Sequence, residues 1–324
     1  MSQDLHGPAP QVTESAPGRS LTVVKPGMLT TVQDLGRRGY QGVGVPVSGP
    51  MDPYSHRLAN RLLGNDASAA ALEITLLGPE LVAHGDLTCA ATGADISLTI
   101  DGRPAPLNQP FNVRSGACLR WGSRIAGTRM TLGVLGGIDV PPVLGSRATH
   151  LASRMGPFGG RAIRAGDVLP VGAAPAPRGG SGFPLDLPEG GAHLRVLPAV
   201  HRDRFTDDAW GLLVHARFTV NPQSNRMGYR LDGPLLGHVK DADILSEAMP
   251  FGAIQVPASG QPILLLAERA TTGGYPTIAN VITADLPIAG QLAPGDWIQF
   301  DPVDREDAIA ALRRREAALR GVTR

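Results

Sequence analysis

A hexapeptide late in the chain carries the clearest candidates for binding a small molecule. The apolar run Ile263–Ala267 is predicted to be a buried strand, and TTGGYP follows it at 271–276, before a second apolar run at 277–283. Hydroxyls and glycine amides at the end of a buried strand can donate hydrogen bonds to a polarised carbonyl oxygen. A β-turn between two core strands explains the same residues without any chemistry. The candidate catalytic residues here are Thr271, Thr272 and Tyr275, and the candidate substrate-binding residues are Gly273 and Gly274.

A second polar cluster, SNRMGYR at 224–230, combines two arginines, an amide and a phenol within one short segment. Arginine presents a planar fork of donors that matches a carboxylate, so this cluster is predicted to bind an acidic group or a carboxylated amide. A solvated turn accounts for the same composition equally well. The candidate substrate-binding residues are Ser224, Asn225, Arg226, Tyr229 and Arg230.

A third cluster, TTVQDLGRRG, occupies positions 30–39 near the start of the chain. Gln33 and Asp34 stand where a predicted strand ends, and both are candidates for a binding or catalytic role. The alternative is a plain strand end and turn, in which Asp34 pairs with Arg37 or Arg38.

The segment SGPMD at 48–52 supplies a further candidate substrate-binding residue, Ser48. Asp52 precedes Pro53 and a helical pattern, which favours a helix N-cap over a catalytic carboxylate. Helix N-termini also attract anionic groups, so capping and binding are compatible. An isolated acid further on, Glu73, lies in an apolar strand-like run and requires a partner, and we expect Arg57 or Arg61 to provide it.

Composition and spacing exclude several function classes. The formal net charge is +1, which gives no general attraction for nucleic acid or an anionic membrane. The chain contains no run of the roughly 20 apolar residues that a membrane span requires. Cys89 and Cys118 lie far apart in the sequence and are predicted to be reduced thiols of a cytoplasmic protein. The histidines show no metal-ligand spacing, so no metal is expected.

Motifs for nucleotides and covalent cofactors are also missing from the sequence. It has no Walker A loop, no dinucleotide-binding fingerprint followed by a helix, and no nucleophile elbow. Its lysines are Lys25 and Lys240, and neither lies between methionines in the pattern of a biotinylated lysine. If ATP takes part, we expect a complex to bind it and not this chain alone.

The elements that hold these residues are predicted to be mainly strands. The chain has 41 glycines and 29 prolines, and its apolar runs are short, which is typical of a β-rich protein with many turns. Asp101-Gly102 is predicted to form a hairpin turn. Two helices are expected, at Met51–Asn65 and Asp304–Arg320.

Composition also divides the chain into parts. Residues 1–19 are predicted to be a disordered tail, and the Pro/Gly/Ala-rich stretch 172–192 a linker between domains at 20–171 and 193–324. Similar phrases recur on both sides of this linker: Ser stands three positions before Met at 48–51 and 224–227, and Gly-Asp precedes the last apolar run of each half. These echoes indicate internal duplication, which predicts two related β-barrel-like domains.

Several of these segments resemble one known family. The matching text is TTVQDLGRRG at 30–39, VPVSGPMD at 45–52, LEITLLGP at 72–79, SNRMGYRL at 224–231, TTGGYP at 271–276 and ADLP at 284–287. On these motifs the chain is identified as a member of the allophanate hydrolase subunit 2 family, also called the biotin-dependent carboxyltransferase family. Its members include the C subunit of prokaryotic 5-oxoprolinase. Glu268 and Pro50 depart from the usual Asp and Ala of the pattern, and neither change removes a hydrogen-bond donor.

The resemblance implies a mainly β fold of two cyclophilin-like β-barrel domains with a few short helices and a C-terminal helix. It also implies partners, namely a subunit 1 family protein and a lactam-utilisation family protein. The expected activity is ATP-dependent opening of 5-oxo-L-proline to L-glutamate by the complex, with this chain inactive alone. In that reaction Arg226 and Arg230 would fix the substrate carboxylate, while the 271–275 segment with Gln33 and Asp34 would polarise or orient the amide.

Two alternatives from other classes stay open. The chain resembles the carboxyltransferase part of biotin-dependent urea carboxylase, and since it contains no biotinyl domain, the biotin would be on a partner. The family also includes a regulator that binds a kinase-inhibitor protein and performs no chemistry.

Overall fold

The computed structural model describes residues 18–175 and 184–321. The predicted tail therefore lies outside the described residues, apart from 18 and 19, and so does the 176–183 part of the predicted linker. On the far side of that gap, Leu185 is buried against the helix that contains Leu58 and Leu62, and a strand begins at Gly191. The predicted domain limits stay predictions.

The N-terminal half is built from two antiparallel sheets. The six-stranded sheet contains β1 (Ser20–Lys25), β4 (Glu80–His84), β6 (Leu98–Ile100), β7 (Arg103–Pro104), β9 (Cys118–Trp121) and β11 (Val168–Pro170), in the order β11-β1-β4-β9-β6-β7. The five-stranded sheet contains β2 (Leu29–Gln33), β3 (Ala71–Thr75), β5 (Leu87–Asp95), β8 (Pro110–Val113) and β10 (Ala126–Val134), in the order β2-β3-β10-β5-β8. The turn between β6 and β7 is Asp101-Gly102, as predicted, and both residues have positive φ.

The core of this half lies between the two sheets. Leu21 and Leu81 of the first sheet and Leu72, Met130 and Leu132 of the second are each fully buried in one apolar cluster. Successive residues of a strand point to opposite faces, so the alternate residues of β2, β3 and β10 face away from this core.

The C-terminal half is a closed barrel of seven strands. These are β12 (Gly191–Pro198), β13 (Arg217–Val220), β14 (Gly228–Asp232), β16 (Ala253–Gln255), β17 (Ile263–Leu265), β19 (Thr277–Val281) and β20 (Trp297–Pro302). Parallel pairing of β12 with β20 closes the barrel, and the other pairs are antiparallel. The barrel interior is filled by apolar side chains, among them Phe218, Leu264 and Phe300. A separate two-stranded ribbon pairs β15 (Glu247–Ala248) with β18 (Thr272–Gly273).

The described residues form the α-helices α1 (Pro53–Leu63), α3 (Asp207–His215), α4 (Leu286–Gly290) and α5 (Arg305–Gly321), together with a four-residue turn, α2 (Pro157–Gly160), in which Phe158 and Gly159 have positive φ. Helices α1 and α5 confirm both predicted helices. Asp52 is the N-cap of α1, since its carboxylate accepts a hydrogen bond from the Ser55 amide at 2.9 Å. The mainly β fold class with few helices is thus confirmed. The internal duplication stays a prediction, because one half closes as a barrel and the other as two sheets.

The two halves are joined by buried polar contacts. The Gln291 side chain accepts from the Thr128 and Arg129 amides, each at 2.9 Å, and donates to the Asp52 carboxylate at 2.7 Å and to the Arg129 carbonyl at 2.8 Å. All four hydrogen-bonding positions of this buried amide are therefore used. Burial raises the pKa of the Asp52 carboxyl above its ordinary value, and hydrogen bonds from Ser55 and Gln291 oppose that shift.

The buried histidine of α1, His56, predicts a pH dependence of stability. Burial lowers its pKa to about 4, so the native state leaves the ring neutral between pH 4 and 6.5 while the unfolded chain binds a proton. The free energy of unfolding should therefore fall as the pH drops through this window, by about 2 to 3 kcal/mol from this group alone.

Urea unfolding of the wild-type chain and of His56→Gln at pH 7.5 and 4.5 measures this effect. The His56→Gln variant should lose about 2 kcal/mol less stability between the two pH values than the wild type. His215→Gln, at an exposed position on α3, is the matched control and should keep the wild-type dependence. Equal pH dependence in His56→Gln and the wild type would contradict the prediction.

Candidate functional site

A polar face of the five-stranded sheet lies buried beneath the C-terminal half. Register pairs Thr31 with Glu73 and Glu73 with Thr131, and it pairs Thr75 with Arg129, so these side chains share one face. The members of this face on β2, β3 and β10 are all buried: Thr31, Gln33, Glu73, Thr75, Arg129 and Thr131. Polar groups without water require internal partners or a ligand, which makes this face the candidate site.

Arg226 is the central contact between this face and the barrel half. Its Nη1 donates to Glu73 Oε1, its Nε donates to Glu268 Oε1 at 2.6 Å, and its Nη2 donates to the Gly49 carbonyl at 2.6 Å. The three ionic side chains are at most 4 % exposed. This arrangement corrects the predicted partner of Glu73, because Arg57 instead forms a bidentate pair with Glu316 and Arg61 donates to the Leu319 carbonyl. Two carboxylates on one guanidinium leave the cluster with a net negative charge.

The remaining oxygens of the two carboxylates are also used. Glu73 Oε2 accepts from the Met51 amide at 2.6 Å, and Glu268 Oε2 accepts from the Leu151 amide at 3.2 Å. The Arg226 cluster, meaning Glu73, Arg226 and Glu268, is therefore a fixed group whose orientation is set by backbone from both halves. Fixed dipoles and charges of this kind are what a catalytic site needs to stabilise developing charge.

A cavity of about 500 Å³ opens between the halves beside this cluster. Its volume lies within the usual range of small-molecule sites. The wall is largely apolar, with polar groups from both halves of the chain. Its lining residues include Met28, Leu76, Thr75, Thr128, Arg129, Leu151, Ser224, Asn225, Arg226, Met227 and Glu268.

The segment predicted to bind a carboxylate divides between this cavity and a separate groove. Ser224, Asn225 and Arg226 line the cavity, while Arg230 is exposed and lines a groove of about 220 Å³ together with Arg269. Ser224 Oγ accepts from the Arg230 amide at 3.1 Å, and Asn225 Oδ1 accepts from the Met227 amide at 2.8 Å, so both side chains stabilise the turn.

The fifth residue of that segment, Tyr229, has its ring buried inside the barrel, and its hydroxyl lies at the interface of the halves. The hydroxyl accepts from Arg129 Nη1 at 2.8 Å and donates to the Leu292 carbonyl at 2.9 Å. Tyr229 therefore does not line the cavity itself and contacts it through Arg129.

The predicted residues of the N-terminal half lie next to the Arg226 cluster but do not line the cavity. Gln33 Nε2 donates to the Thr149 carbonyl at 3.0 Å, and Ser48 Oγ donates to the same oxygen at 2.7 Å. Asp34 accepts from Ser146 Oγ at 2.6 Å and from the Gly36 and Arg147 amides. These side chains hold the 146–149 segment against the end of β2, and Gln33 Oε1 remains buried without a partner among the described residues.

The 271–276 segment forms part of the β15–β18 ribbon. Thr272 and Gly273 pair with Ala248 and Glu247, and the Gly274 carbonyl accepts from the Ile244 amide at 2.9 Å. Thr272 and Tyr275 are exposed, and Thr271 is half-buried. No hydrogen bond within the described ranges joins this segment to Gln33 or Asp34.

The described ranges contain no cluster of three or more metal-ligating side chains. No helix in those ranges is long and apolar enough to cross a bilayer. Cys89 and Cys118 are both free thiols, and burial raises the pKa of Cys89 to about 12, which leaves it protonated and unreactive.

Comparison with known proteins decides the family. The model of the carboxyltransferase domain, subdomains A and B, matches residues 43–302. The chain belongs to the carboxyltransferase domain family. Its relatives in this family include the 5-oxoprolinase C subunit of Escherichia coli, which is 37 % identical over 291 residues, covering 90 % of this chain and 94 % of that protein. The urea amidolyase of Saccharomyces cerevisiae is 32 % identical over 94 % of this chain, which corresponds to 18 % of that larger protein.

A solved structure of the same family agrees with the fold. The urea carboxylase of Kluyveromyces lactis matches with a TM-score of 0.87 and 33 % identity, over 95 % of this chain and 29 % of that chain. The carboxyltransferase family is thus represented both by a protein of this length and by segments of larger proteins.

Sequence reasoning missed Glu73 and Glu268 as the partners of Arg226, and it missed Arg129. A signal for the polar face was present in the alternation of β2, β3 and β10, where Thr, Gln, Glu and Arg occupy every second position between apolar residues. Alternation with a polar face usually indicates a solvent-exposed sheet surface, and here that surface is covered by the other half of the chain.

Proposed function

We propose that this chain is the C subunit of a hetero-oligomeric, ATP-dependent 5-oxoprolinase that converts 5-oxo-L-proline to L-glutamate. The supporting observation is its 37 % identity to the 5-oxoprolinase C subunit of Escherichia coli, over 94 % of that protein's length. The relative named urea amidolyase, from Saccharomyces cerevisiae, matches through a segment that is 18 % of its length. The proposed location is the cytoplasm.

The cavity beside the Arg226 cluster is the proposed substrate site. It combines an apolar wall, suited to a five-membered ring, with charged groups at Arg226, Glu268 and Arg129. Opening the lactam breaks the ring C–N bond, adds a hydroxyl from water to the carbonyl carbon and leaves the nitrogen as the amino group of glutamate. In this proposal Glu268, whose carboxylate is fixed by Arg226 and the Leu151 amide, faces the lactam N–H.

The partners complete the chemistry in this proposal. A subunit 1 family protein and a lactam-utilisation family protein assemble with this chain, and the complex binds the ATP that drives the reaction. In the same proposal, the 271–275 segment together with Gln33 and Asp34 polarises or orients the amide of the substrate. The exposure of Thr272 and Tyr275 is compatible with a surface that a partner covers.

Co-expression with the two partner proteins tests the function. The purified complex should release ADP and glutamate from 5-oxo-L-proline, and this chain alone should release neither. Each partner alone is the control for background ATP hydrolysis. Turnover by the isolated chain would contradict the shared site, and an inactive complete complex would contradict the substrate.

A second candidate function is favoured by the structural match to urea carboxylase. In that case the chain is a carboxyltransferase component that transfers a carboxyl group from biotin on a partner to urea or another amide. The cavity of about 500 Å³ has room for a small amide beside an apolar ring. Bicarbonate-dependent ADP release, together with an avidin-reactive partner, would identify this function.

A further inference from the structure

Arg129 is a buried arginine on the cavity wall that lacks an acidic partner among the described residues. It is 7 % exposed and lines the cavity. Its Nη1 donates to Tyr229 Oη at 2.8 Å and to the carbonyls of Gly290 and Leu292, all neutral acceptors. Within the described parts of the chain, it forms no ion pair, and its Nε has no hydrogen-bond partner.

A buried guanidinium without a counter-ion is unfavourable unless a ligand compensates its charge. Arg226 shows the contrast, because two carboxylates neutralise it and its Nε, Nη1 and Nη2 all donate within the protein. The two carboxylates beside the cavity are thus held by Arg226, whereas Arg129, among the described residues, contacts neutral acceptors alone. Buried unsatisfied donors are rare in native proteins and point to a missing partner.

A second unsatisfied group accompanies Arg129. The hydroxyl of Thr128, the preceding residue, is buried without a hydrogen-bond partner in the described ranges, and Thr128 also lines the cavity. The backbone amides of both residues donate to Gln291 Oε1, which fixes the position of the strand at this wall. Of the two residues, Arg129 has the side chain suited to a carboxylate, since a guanidinium is a typical partner for one.

We propose that Arg129 binds the carboxylate of the substrate, and that the cavity is a subsite for a small carboxylic acid. Naming the ligand as 5-oxo-L-proline rests on the function proposed above. The carboxylate of that molecule and its lactam N–H are attached to the same carbon. An acid group on Arg129 therefore holds the N–H in the cavity that Glu268 also lines, where a carboxylate oxygen can accept it. In this proposal Arg129 positions the carboxylate, in place of Arg226 and Arg230.

A comparison of two ligands tests the carboxylate subsite without any variant. Calorimetric titration of the chain, and of the assembled complex, is carried out with 5-oxo-L-proline and with 2-pyrrolidinone, which is the same lactam without the carboxylate. We expect 5-oxo-L-proline to bind at least about 30-fold more tightly, the usual minimum for a hydrogen-bonded charge pair. Equal binding of the two ligands, or no binding of 5-oxo-L-proline to either preparation, would overturn the proposal.

The Arg129→Met variant locates the subsite. It should remove the preference for 5-oxo-L-proline over 2-pyrrolidinone, and in the complex it should raise KM about 30-fold or more. Arg114→Met, which removes an exposed arginine by the same substitution, should change neither quantity. A folded Arg129→Met variant with an unchanged preference overturns the role of Arg129. If that variant does not fold, Arg129→Lys replaces it and should retain part of the preference.

The two proposals fail in different ways. A wild-type complex that binds 5-oxo-L-proline through its carboxylate and does not turn it over contradicts the proposed function and leaves the subsite standing. A complex that turns over 5-oxo-L-proline with an unchanged KM after Arg129→Met contradicts the subsite and leaves the function standing.

Discussion

Replacing Arg226 with methionine should destabilise the isolated chain by about 3 to 5 kcal/mol, the usual cost of removing one partner from a buried ionic group. The side chains of Glu73 and Glu268 are 4 % and 3 % exposed, and Arg226 is the cation that both of them contact. Without it, two carboxylates of like charge remain buried with only backbone amides as partners. Urea unfolding at pH 7.5 measures the loss.

Two further variants separate charge from packing. Arg230→Met removes an exposed arginine four positions away and should change the free energy of unfolding by less than about 0.5 kcal/mol. The triple variant Glu73→Gln, Arg226→Met, Glu268→Gln removes all three charges and should recover most of the stability lost in Arg226→Met. A loss below about 1 kcal/mol in Arg226→Met would show that the Arg226 cluster is not what connects the halves.

This cluster also explains why part of the site was beyond sequence reasoning. The ion pair of Arg226 with Glu73 joins residues 153 positions apart, on different halves of the chain. A search for the partner of Glu73 by proximity in sequence selects Arg57 and Arg61, and both instead contact helix α5. Arg226 becomes the partner of Glu73 because of the way the barrel packs on the five-stranded sheet, and no local sequence pattern predicts that packing.

Local signals, in contrast, were sufficient wherever one segment determines its own structure. The Asp52 cap with Pro53 fixed the start of α1, and Asp101-Gly102 fixed a hairpin, because both depend on hydrogen bonds and φ values within a few residues. The 271–276 segment was harder, since Thr272 and Gly273 pair with Ala248 and Glu247 in a ribbon. Its Gly273 and Gly274 are not among the residues with positive φ, so they do not form a tight turn of that kind.

The second large effect is expected at Gly290, where the backbone of α4 lies close to the backbone of Met51 in the other half. A Cβ atom added at this position would lie 2.2 Å from the Met51 carbonyl oxygen and 2.7 Å from its carbon. Both atoms are backbone, so neither can move aside as a flexible side chain would. Gly290→Ala should therefore cost about 3 kcal/mol, the upper part of the range for overpacked interiors.

The position of Gly290 predicts where the structure opens. The next residue, Gln291, accepts the amides of Thr128 and Arg129, so a shift of α4 away from Met51 should break these hydrogen bonds first. Hydrogen exchange of those two amides should accelerate in Gly290→Ala more than exchange in the barrel strands. Gly211→Ala is the matched control, because its added Cβ meets nothing within 4 Å and it lies in a helix, where alanine is favoured over glycine. Equal stability of the two variants would mean that the halves can separate locally without a loss in the free energy of unfolding.

The same separation would widen the cavity and withdraw Arg129 from Tyr229, so Gly290→Ala should also weaken 5-oxo-L-proline binding if Arg129 forms the carboxylate subsite.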